Sequence, residues 1–446
     1  MKFGLTGNPL GHSLSKVIHT ELFKLKNVDY TYELYPDESL ENVFKNTLSE
    51  LDGFNITIPY KTDIIKFADE TDDKVKLYNS CNTVVNKGGK YYGYNTDVYG
   101  FLNSLKRCNV DLKDKKVLVL GSGGVSRMMA FECALNGSEV YITSRNFQKC
   151  CDIKCEIEER LGKKITVISQ EDVNNNFDIV LNGTPCGMYP KEINLPIPFS
   201  RIKKVPFIFD TIYNPKETLL TIMAKYMGHK AENGLFMLVE QGAVAQTHFC
   251  GIQYSFKEVE SVTDKIDVNP INIKKNIVLI GPPGSGKTTI GRELAKIFNL
   301  TLVDVDAEIE RKYGNISSIF DIKGEKYFRQ IESETLLKFA GETNLLISTG
   351  GGIVETAETV EKLCEDKNNI VLFINPSFDV LVERTSRSDK RPLLRGNLAE
   401  KLKVLLDRRL PLYERCCNVK IDVPCEQFVK ETVIQCVDAV VEYENT

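Results

Sequence analysis

Two glycine-rich stretches of this chain have the composition of phosphate cradles, and they are of different kinds: GSGGVS at Gly121–Ser126 and GPPGSGKT at Gly281–Thr288. In the second, glycines let backbone N–H groups turn inward around a triphosphate. Lys287 then reaches the β and γ oxygens, and the Thr288 hydroxyl faces Mg2+. Gly284, Ser285, Gly286 and Thr289 complete that ATP cradle. Every position of the eight-residue pattern is filled, so a plain strand-to-helix turn accounts for it poorly. The first stretch suits a dinucleotide, with Gly121, Ser122, Gly123, Gly124 and Val125 lying along the pyrophosphate. Alone it is the weaker signal, because Ser126 takes the last small position of the usual pattern. The strand that follows ends Thr143-Ser144-Arg145, with an arginine where an NAD-binding chain usually carries an acid. Ser144 and Arg145 are therefore expected to hold a 2′-phosphate, favouring NADP(H) over NAD, with Lys149 as a weaker second cation.

Each turn needs a strand before it and a helix after it. Val117–Leu120 and Ile277–Ile280 are apolar runs of the kind that lie in buried parallel sheets. Around the first, the order is helix from Val125 to Leu135, strand from Val140 to Thr143, helix from Cys150 to Leu161, and strands at Asp178–Asn182 and Phe207–Asp210. That alternation predicts a Rossmann-like doubly wound sheet. Before it, short apolar runs such as 53–58 alternate with helical patterns such as 18–25, which predicts a separate α/β domain. The expected division is a substrate domain at 1–104, completed by a helix at 233–254, and a dinucleotide domain at 105–232. A charged linker containing Asn269-Pro270 is expected at 255–275, and a P-loop domain at 276–446.

A further constellation surrounds the dinucleotide turn: GNPLGHSLS at 7–15, NITIPYK at 55–61, Cys81-Asn82-Thr83-Val84, Asn95-Thr96-Asp97, Asn182-Gly183-Thr184-Pro185, Asp210–Pro215 and Met237–Gln241. Together these motifs resemble shikimate dehydrogenase over nearly all of residues 1–255. The resemblance implies that Lys61 and Asp97 are the catalytic pair and that Ser13 and Ser15 hold the substrate carboxylate. Thr57, Asn82 and Gln241 would bond its hydroxyls, Tyr213 would approach from the cofactor side, and Gly234 would line the cofactor site. The chemistry agrees, since reducing a ketone with a hydride requires one delivered proton and a stabilised alkoxide. Taken singly, Lys61 and Asp97 would read as a surface lysine and a capping aspartate; their places in two matching motifs reverse that reading. His12, within the serine motif, is expected to shape its loop. The chain departs from the family pattern at Lys16, where proline is common, at Gly183 and Pro185 within the usual N-A-T-S stretch, and at Phe249, where tryptophan is frequent.

After the P-loop come Asp304-Val305-Asp306, Phe328-Arg329, Gly350-Gly351-Gly352, Arg391-Pro392-Leu393-Leu394 and Arg409-Leu410-Pro411-Leu412-Tyr413. This order resembles shikimate kinase, which implies a parallel-sheet fold like that of the nucleoside monophosphate kinases. Arg329 and Arg409 then form a carboxylate clamp, where planar guanidinium groups can bond both oxygens. Asp306 orients or deprotonates the attacking hydroxyl, on the same side as Asp304 if the strand continues through both. The resemblance further implies that Gly351 and Gly352 would offer backbone N–H groups to the substrate and that Asp304 would stand behind the Mg2+ bound directly by Thr288. The arginine-rich 384–396 reads as a lid over ATP, with Arg391 on the triphosphate and Arg384 beside the adenine. A nucleic-acid patch is the weaker reading, because aromatic residues are not interleaved there.

Composition bounds the rest. At roughly 100 to 200 residues per domain, 446 residues allow about three. Fifty-seven basic residues against 61 acidic ones leave a net charge of −4, with no global pull toward nucleic acid or an anionic membrane. Thirteen scattered cysteines without C-x-x-C pairs point to reduced thiols in a cytoplasm rather than a disulfide frame or zinc site. No run of about 18 apolar residues predicts a membrane span. The expectation is a bifunctional enzyme that reduces 3-dehydroshikimate with NADPH and phosphorylates shikimate with ATP and Mg2+, with a homo-oligomer compatible with either half. Two rivals stand beside it: an NAD-using quinate or shikimate oxidoreductase in the first half, and a nucleotide-binding regulatory module without catalysis in the second.

Overall fold

Apolar runs fix where the sheets lie, because a strand covered on both faces carries no polar alternation. The computed structural model describes residues 1–11, 13–339, 341–386, 398–425 and 427–446. They form two compact units: Met1–Tyr189 with Arg201–Asn269, and Pro190–Ser200 with Pro270–Thr446.

The first unit contains two six-stranded sheets. One holds β1 (Lys2–Gly7), β2 (Thr31–Pro36), β3 (Gly53–Ile56), β4 (Glu70–Thr71), β5 (Thr83–Lys87) and β6 (Lys90–Tyr94), in the order β2-β1-β3-β5-β6-β4. β1 is parallel to β2 and β3, whereas β5 runs antiparallel to both β3 and β6. Since β1 and β3 are parallel neighbours, the loops leaving their C-terminal ends emerge side by side. Asn8 N–H bonds the Ile58 carbonyl (3.1 Å) across those loops, which carry Ser13 and Lys61.

The other sheet holds β7 (Lys116–Leu120), β8 (Glu139–Thr143), β9 (Thr166–Val167), β10 (Ile179–Asn182), β11 (Phe207–Asp210) and β12 (Lys230–Glu232), all parallel, in the order β12-β11-β10-β7-β8-β9. Val117 through Leu120 are at most 1% exposed, and burying each such side chain contributes about 1.5–3 kcal/mol. The strand order reverses direction at β7, which puts the Gly121 turn at the crevice where doubly wound sheets bind ligands. The helix Gly234–Cys250 then packs on the helices Asp97–Arg107 and Ser15–Leu25. Its approach depends on Gly100, where a Cβ would stand 2.5 Å from the Met237 carbonyl oxygen.

The second unit is built on β13 (Asn276–Ile280), β14 (Thr301–Asp304), β15 (Leu345–Ser348), β16 (Asn369–Pro376) and β17 (Val419–Val423), all parallel, in the order β14-β15-β13-β16-β17. The central β13 is fully buried and feeds the P-loop.

Three expectations need correction. The linker at 255–275 is largely a helix, Phe256–Lys265. Ser255 and Glu258 close a reciprocal capping box at its start, and Val259 and Val262 are buried in the first unit's core. The stretch expected to belong wholly to the dinucleotide domain yields Pro190–Ser200 to the second unit, where the Asp438 carboxylate accepts the N–H groups of Phe199 (2.7 Å) and Ser200 (3.1 Å). Finally, β14 stops at Asp304, so Asp306 lies in the first turn of the helix Val305–Tyr313 rather than on a continuing strand. The cause is Asp304 itself, whose carboxylate accepts the Ala307 N–H (3.2 Å) and caps that helix. Among the described residues, no helix is long and apolar enough to cross a membrane.

Candidate active sites

In the first unit, a polar network sits at the C-terminal ends of the mixed sheet. Lys61 Nζ donates to Asp97 Oδ2 at 2.5 Å, joining the loop after β3 to the start of the helix Asp97–Arg107. Asn82, just before β5, donates from Nδ2 to Asp97 Oδ1 (2.9 Å) and Thr96 Oγ1 (2.9 Å), while its Oδ1 accepts the Thr96 N–H (2.7 Å). Gln241 reaches the same point: its Oε1 lies 3.3 Å from Thr96 Oγ1 and 3.4 Å from Asn82 Nδ2. The close helix contact at Gly100 delivers it there.

Asp97 is therefore held on both oxygens, and Lys61 is aimed by a carboxylate that cannot turn away. Ser13 Oγ and Ser15 Oγ lie 3.2 Å apart on the neighbouring loop, both half-buried. Thr57 is anchored there by its N–H to the Thr6 carbonyl (2.9 Å). Tyr213 follows β11 and packs in the cluster that holds Leu14 and Leu238, and desolvation raises the pKa of its hydroxyl. Lys16, a departure from the family pattern, pairs on the surface with Glu33 at 2.6 Å. His12 lies outside the described residues.

The dinucleotide turn shows which of its positions must lack side chains. Gly121 has φ +108°, and a Cβ there would lie 2.6 Å from Ser126 Oγ. At Gly123 and Gly124 a Cβ would meet nothing within 4 Å, which leaves that side of the turn open to a phosphate at the start of the helix Gly124–Leu135. Ser144 Oγ donates to Ser122 Oγ (3.1 Å), placing the exposed Arg145 beside the turn. At Gly234 a Cβ would come within 2.0 Å of the Thr211 carbonyl oxygen, so this glycine is needed for close packing against the end of β11. These residues suit a dinucleotide with an additional phosphate at Arg145.

In the second unit a cavity of about 410 Å3 brings the P-loop and the predicted substrate residues together. Lys287 is buried and folded onto the loop, its Nζ donating to the carbonyls of Gly281 (2.8 Å) and Pro282 (3.1 Å). Gly284 and Gly286 take φ values of +87° and +89°, so the helix Lys287–Ile297 opens directly under the loop. Thr288 Oγ1 donates to Asp304 Oδ2 at 2.8 Å. Among the described residues no cluster of three His, Cys, Asp or Glu side chains forms a metal cage. A Mg2+ ion at Thr288, with Asp304 behind it and nucleotide phosphates completing the shell, fits that donor set.

Across the cavity stand Asp306, Arg329 and Arg409. Burial raises the Asp306 pKa, Asp304 adds to the shift, and Lys287 and Arg329 oppose it. The glycine triplet serves the arginines as well as any substrate: a Cβ on Gly352 would strike the Arg329 guanidinium carbon at 2.1 Å. The Gly351 carbonyl accepts from Arg409 Nη1 (3.1 Å) and from the Tyr413 hydroxyl. Arg384 also lines the cavity, whereas Arg391 lies outside the described residues.

Three acids, Glu325, Glu332 and Glu355, join the site without having been expected there. Gly324, at φ +79°, breaks the helix Ile316–Leu337. After the break, Glu325, Arg329 and Glu332 fall on one face with i, i+4, i+7 spacing. Arg329 Nη1 donates to Glu332 Oε2 (2.6 Å) and Nη2 to Glu325 Oε1 (3.2 Å). Glu332 is 1% exposed, and burial, with Asp306 nearby, pushes its carboxyl up to about 7 against the pull of Arg329. Glu355 bonds Arg409 Nη2 at 2.7 Å. The R-x-x-E spacing at Arg329–Glu332 was the available signal; Glu355 offered none.

Comparison with known proteins agrees with both halves. Residues 5–84 match the model of the shikimate dehydrogenase substrate binding domain, and residues 283–440 match that of shikimate kinase. The NADP(+) shikimate dehydrogenase of Caldanaerobacter subterraneus subsp. tengcongensis is 38% identical over 249 residues, covering 54% of this chain and 89% of that protein. The structure of a chorismate mutase/shikimate 5-dehydrogenase fusion protein from Clostridium acetobutylicum aligns with a TM-score of 0.55 and 34% identity, over 59% of this chain and 96% of that one. Shikimate 5-dehydrogenase from Thermus thermophilus, solved with NADP(H) and shikimate, aligns with a TM-score of 0.54 and 27% identity, over 59% and 99%.

Proposed function

The chain belongs to the shikimate dehydrogenase family and carries a shikimate kinase domain in the same polypeptide, and from that premise we propose that it catalyses two consecutive reactions on one small acid. The first is reduction of 3-dehydroshikimate to shikimate with NADPH; the second is phosphorylation of shikimate to shikimate 3-phosphate with ATP. The observation that carries this reading is the pairing, in one chain, of a braced Lys61–Asp97 contact with a P-loop facing Asp306, Arg329 and Arg409 across a single cavity.

In the first reaction, Ser13 and Ser15 hold the substrate carboxylate, and Thr57, Asn82 and Gln241 bond its hydroxyls. NADPH, when bound along Gly121–Val125 with its 2′-phosphate at Ser144 and Arg145, supplies the hydride. Lys61 Nζ delivers the proton to the carbonyl oxygen as the C–O bond loses its double-bond character, so that ketone, hydride and proton together make the alcohol. Asp97 fixes the ammonium for that transfer. Tyr213 approaches the substrate from the cofactor side, and Gly234 lets the chain close on the cofactor.

In the second reaction, Arg329 and Arg409 hold the shikimate carboxylate. Asp306 accepts the proton of the attacking hydroxyl, while Lys287 steadies the phosphoryl group in transfer. Thr288, with Asp304 behind it, would hold Mg2+, which would supply charge neutralisation at the phosphates when bound. Gly351 and Gly352 leave room for the substrate against the clamp, and Arg384 faces the nucleotide. We assign residues 1–104 and 234–250 to substrate binding in the first half, the β7–β12 sheet to NADP(H), and 276–446 to the kinase. Thirteen scattered cysteines without C-x-x-C pairs support a reducing, cytoplasmic setting.

The decisive experiment supplies 3-dehydroshikimate, NADPH and Mg-ATP together and follows NADPH loss and ADP release separately. Both signals are expected, with ADP release lagging until shikimate accumulates; loss of either signal removes the corresponding half of the reading. Replacing NADPH by NADH at equal concentration tests the role of Arg145 and the NAD-using alternative.

A further inference from the structure

The kinase reading makes Arg329 and Arg409 the clamp for the substrate carboxylate, and the inference here rests on that reading. Both guanidinium groups already have a carboxylate partner in common. Glu355 ends the turn that follows Gly350–Gly352. Its Oε2 accepts from Arg409 Nη2 at 2.7 Å and stands 3.7 Å from Arg329 Nε, so a single oxygen bridges the two cations. Its Oε1 lies 2.5 Å from Nη2 of Arg408, an exposed arginine outside the cavity lining. Glu325 and Glu332 also pair with Arg329, and the Gly351 carbonyl with Arg409, whereas Nε of each arginine has no hydrogen-bond partner among the described residues. Burial works against an ionised Glu355, but Arg409, Arg329 and Arg408 outweigh it and hold the carboxyl below its ordinary range.

Arg409 is 1% exposed. A guanidinium that far from water needs a counter-ion before substrate arrives, because an uncompensated buried charge is strongly destabilising. Once substrate is bound, its carboxylate supplies a second negative charge to the same two groups. We propose that Glu355 is the resting-state counter-ion of the clamp, and that it sets the affinity for shikimate by competing electrostatically with the substrate carboxylate. Arg408 moderates that competition from the surface by drawing on the other oxygen of Glu355. Such a residue affects the substrate through the arginines rather than by touching it. Its signature therefore lies in the KM for the carboxylate-bearing substrate, while kcat and the KM for ATP stay in place.

The test uses the full chain, shikimate, Mg-ATP and the ADP-release assay. Glu355→Gln keeps the shape and one acceptor for Arg409 while removing the charge. It is expected to lower the KM for shikimate by about three- to tenfold, with the size limited by partial solvent screening. It should also lower the thermal midpoint of the substrate-free kinase transition, and shikimate should restore more stability than it does in the wild type. Arg408→Ala leaves Glu355 wholly on the clamp and should raise the KM about two- to threefold; in the Glu355→Gln background the same change should have no effect. An unchanged or raised KM in Glu355→Gln overturns the proposal. If that variant does not fold, an unchanged KM in Arg408→Ala overturns it instead. A wild-type chain that fails to phosphorylate shikimate would refute the kinase reading, whereas normal wild-type turnover with unmoved KM values refutes only the role of Glu355.

Discussion

The two active sites hold the same kind of substrate by opposite means. In the dehydrogenase half the carboxylate is assigned to a pair of hydroxyls, Ser13 and Ser15, which bond each other at 3.2 Å. In the kinase half it is assigned to two arginines already paired with Glu332 and Glu355. A hydroxyl can stand empty without penalty, since it donates and accepts and finds a neighbour or a water. A buried guanidinium cannot. An ionic clamp therefore brings its own acids, and those acids weaken the grip they make possible. Transfer of a phosphoryl group between two anionic partners gives a reason for strong positive charge on the kinase side. In the proposed ketone reduction the ion pair Lys61–Asp97 is instead assigned to the reacting carbonyl.

The largest effect that can test this contrast is expected at Arg409. Arg409→Ala should weaken shikimate binding to the kinase by about 2–5 kcal/mol, because truncation removes one arm of the clamp and leaves Glu355 short of a partner. A normal shikimate KM in the ADP-release assay would end the idea of an ionic clamp. Next comes Lys61→Ala, which should cut reductase turnover by on the order of a hundredfold or more. Kinase turnover of the same molecules should stay near wild type and so report that the chain has folded. Reduction at the wild-type rate would exclude Lys61 from the chemistry.

A smaller change is expected at the hydroxyl pair. Ser15→Ala removes one neutral donor to an anion, an interaction of roughly 1.5–3 kcal/mol. The KM for 3-dehydroshikimate should rise about ten- to hundredfold with little change in turnover. A loss as large as that of Arg409→Ala would erase the distinction between the two modes of holding the acid.

Much of the fold is legible in the sequence, and the reasons differ from residue to residue. The P-loop is local, so its spacing alone carries the geometry. Lys61 and Asp97 are 36 positions apart, and only their membership of two matching motifs drew them together; the β3–β5–β6 arrangement is what closes the distance. Asp306 lines the P-loop cavity, but from a helix rather than the strand its spacing predicts, because the capping Asp304 ends that strand. The helix at 256–265 was hidden by its charge, although Ser255-x-x-Glu258 was a visible start signal. Glu332 and Glu355 could not be separated from ordinary solvated acids, since helical charge patterns look alike whether they face water or a cavity. Burial decides that, and burial is a property of packing.

The smallest predicted effect concerns two departures from the family pattern that looked unrelated in the sequence. Ser126 occupies the last small position of the dinucleotide turn, and Gly183 sits in the stretch that usually reads N-A-T-S. In the fold they touch: a Cβ on Gly183 would stand 2.3 Å from Ser126 Oγ and 2.9 Å from Met129 Cε. Ser126 is fully buried, and its hydroxyl donates to the Leu120 carbonyl at 3.3 Å. The absent methyl at 183 thus makes space for the extra oxygen at 126. Gly183→Ala should overpack the base of the turn, costing about 1–3 kcal/mol and appearing as a lower thermal midpoint of the dehydrogenase half and a higher KM for NADPH. Ser126→Ala in the same chain removes the oxygen that clashes and should recover most of both losses. Met129, whose flexible end is another near neighbour, can shift, whereas the Ser126 backbone nitrogen, 3.0 Å from that Cβ, stays in place and limits the recovery. If the double variant is no better than Gly183→Ala alone, the two departures are independent, and the turn owes its shape to the backbone of Gly121 rather than to their exchange of volume.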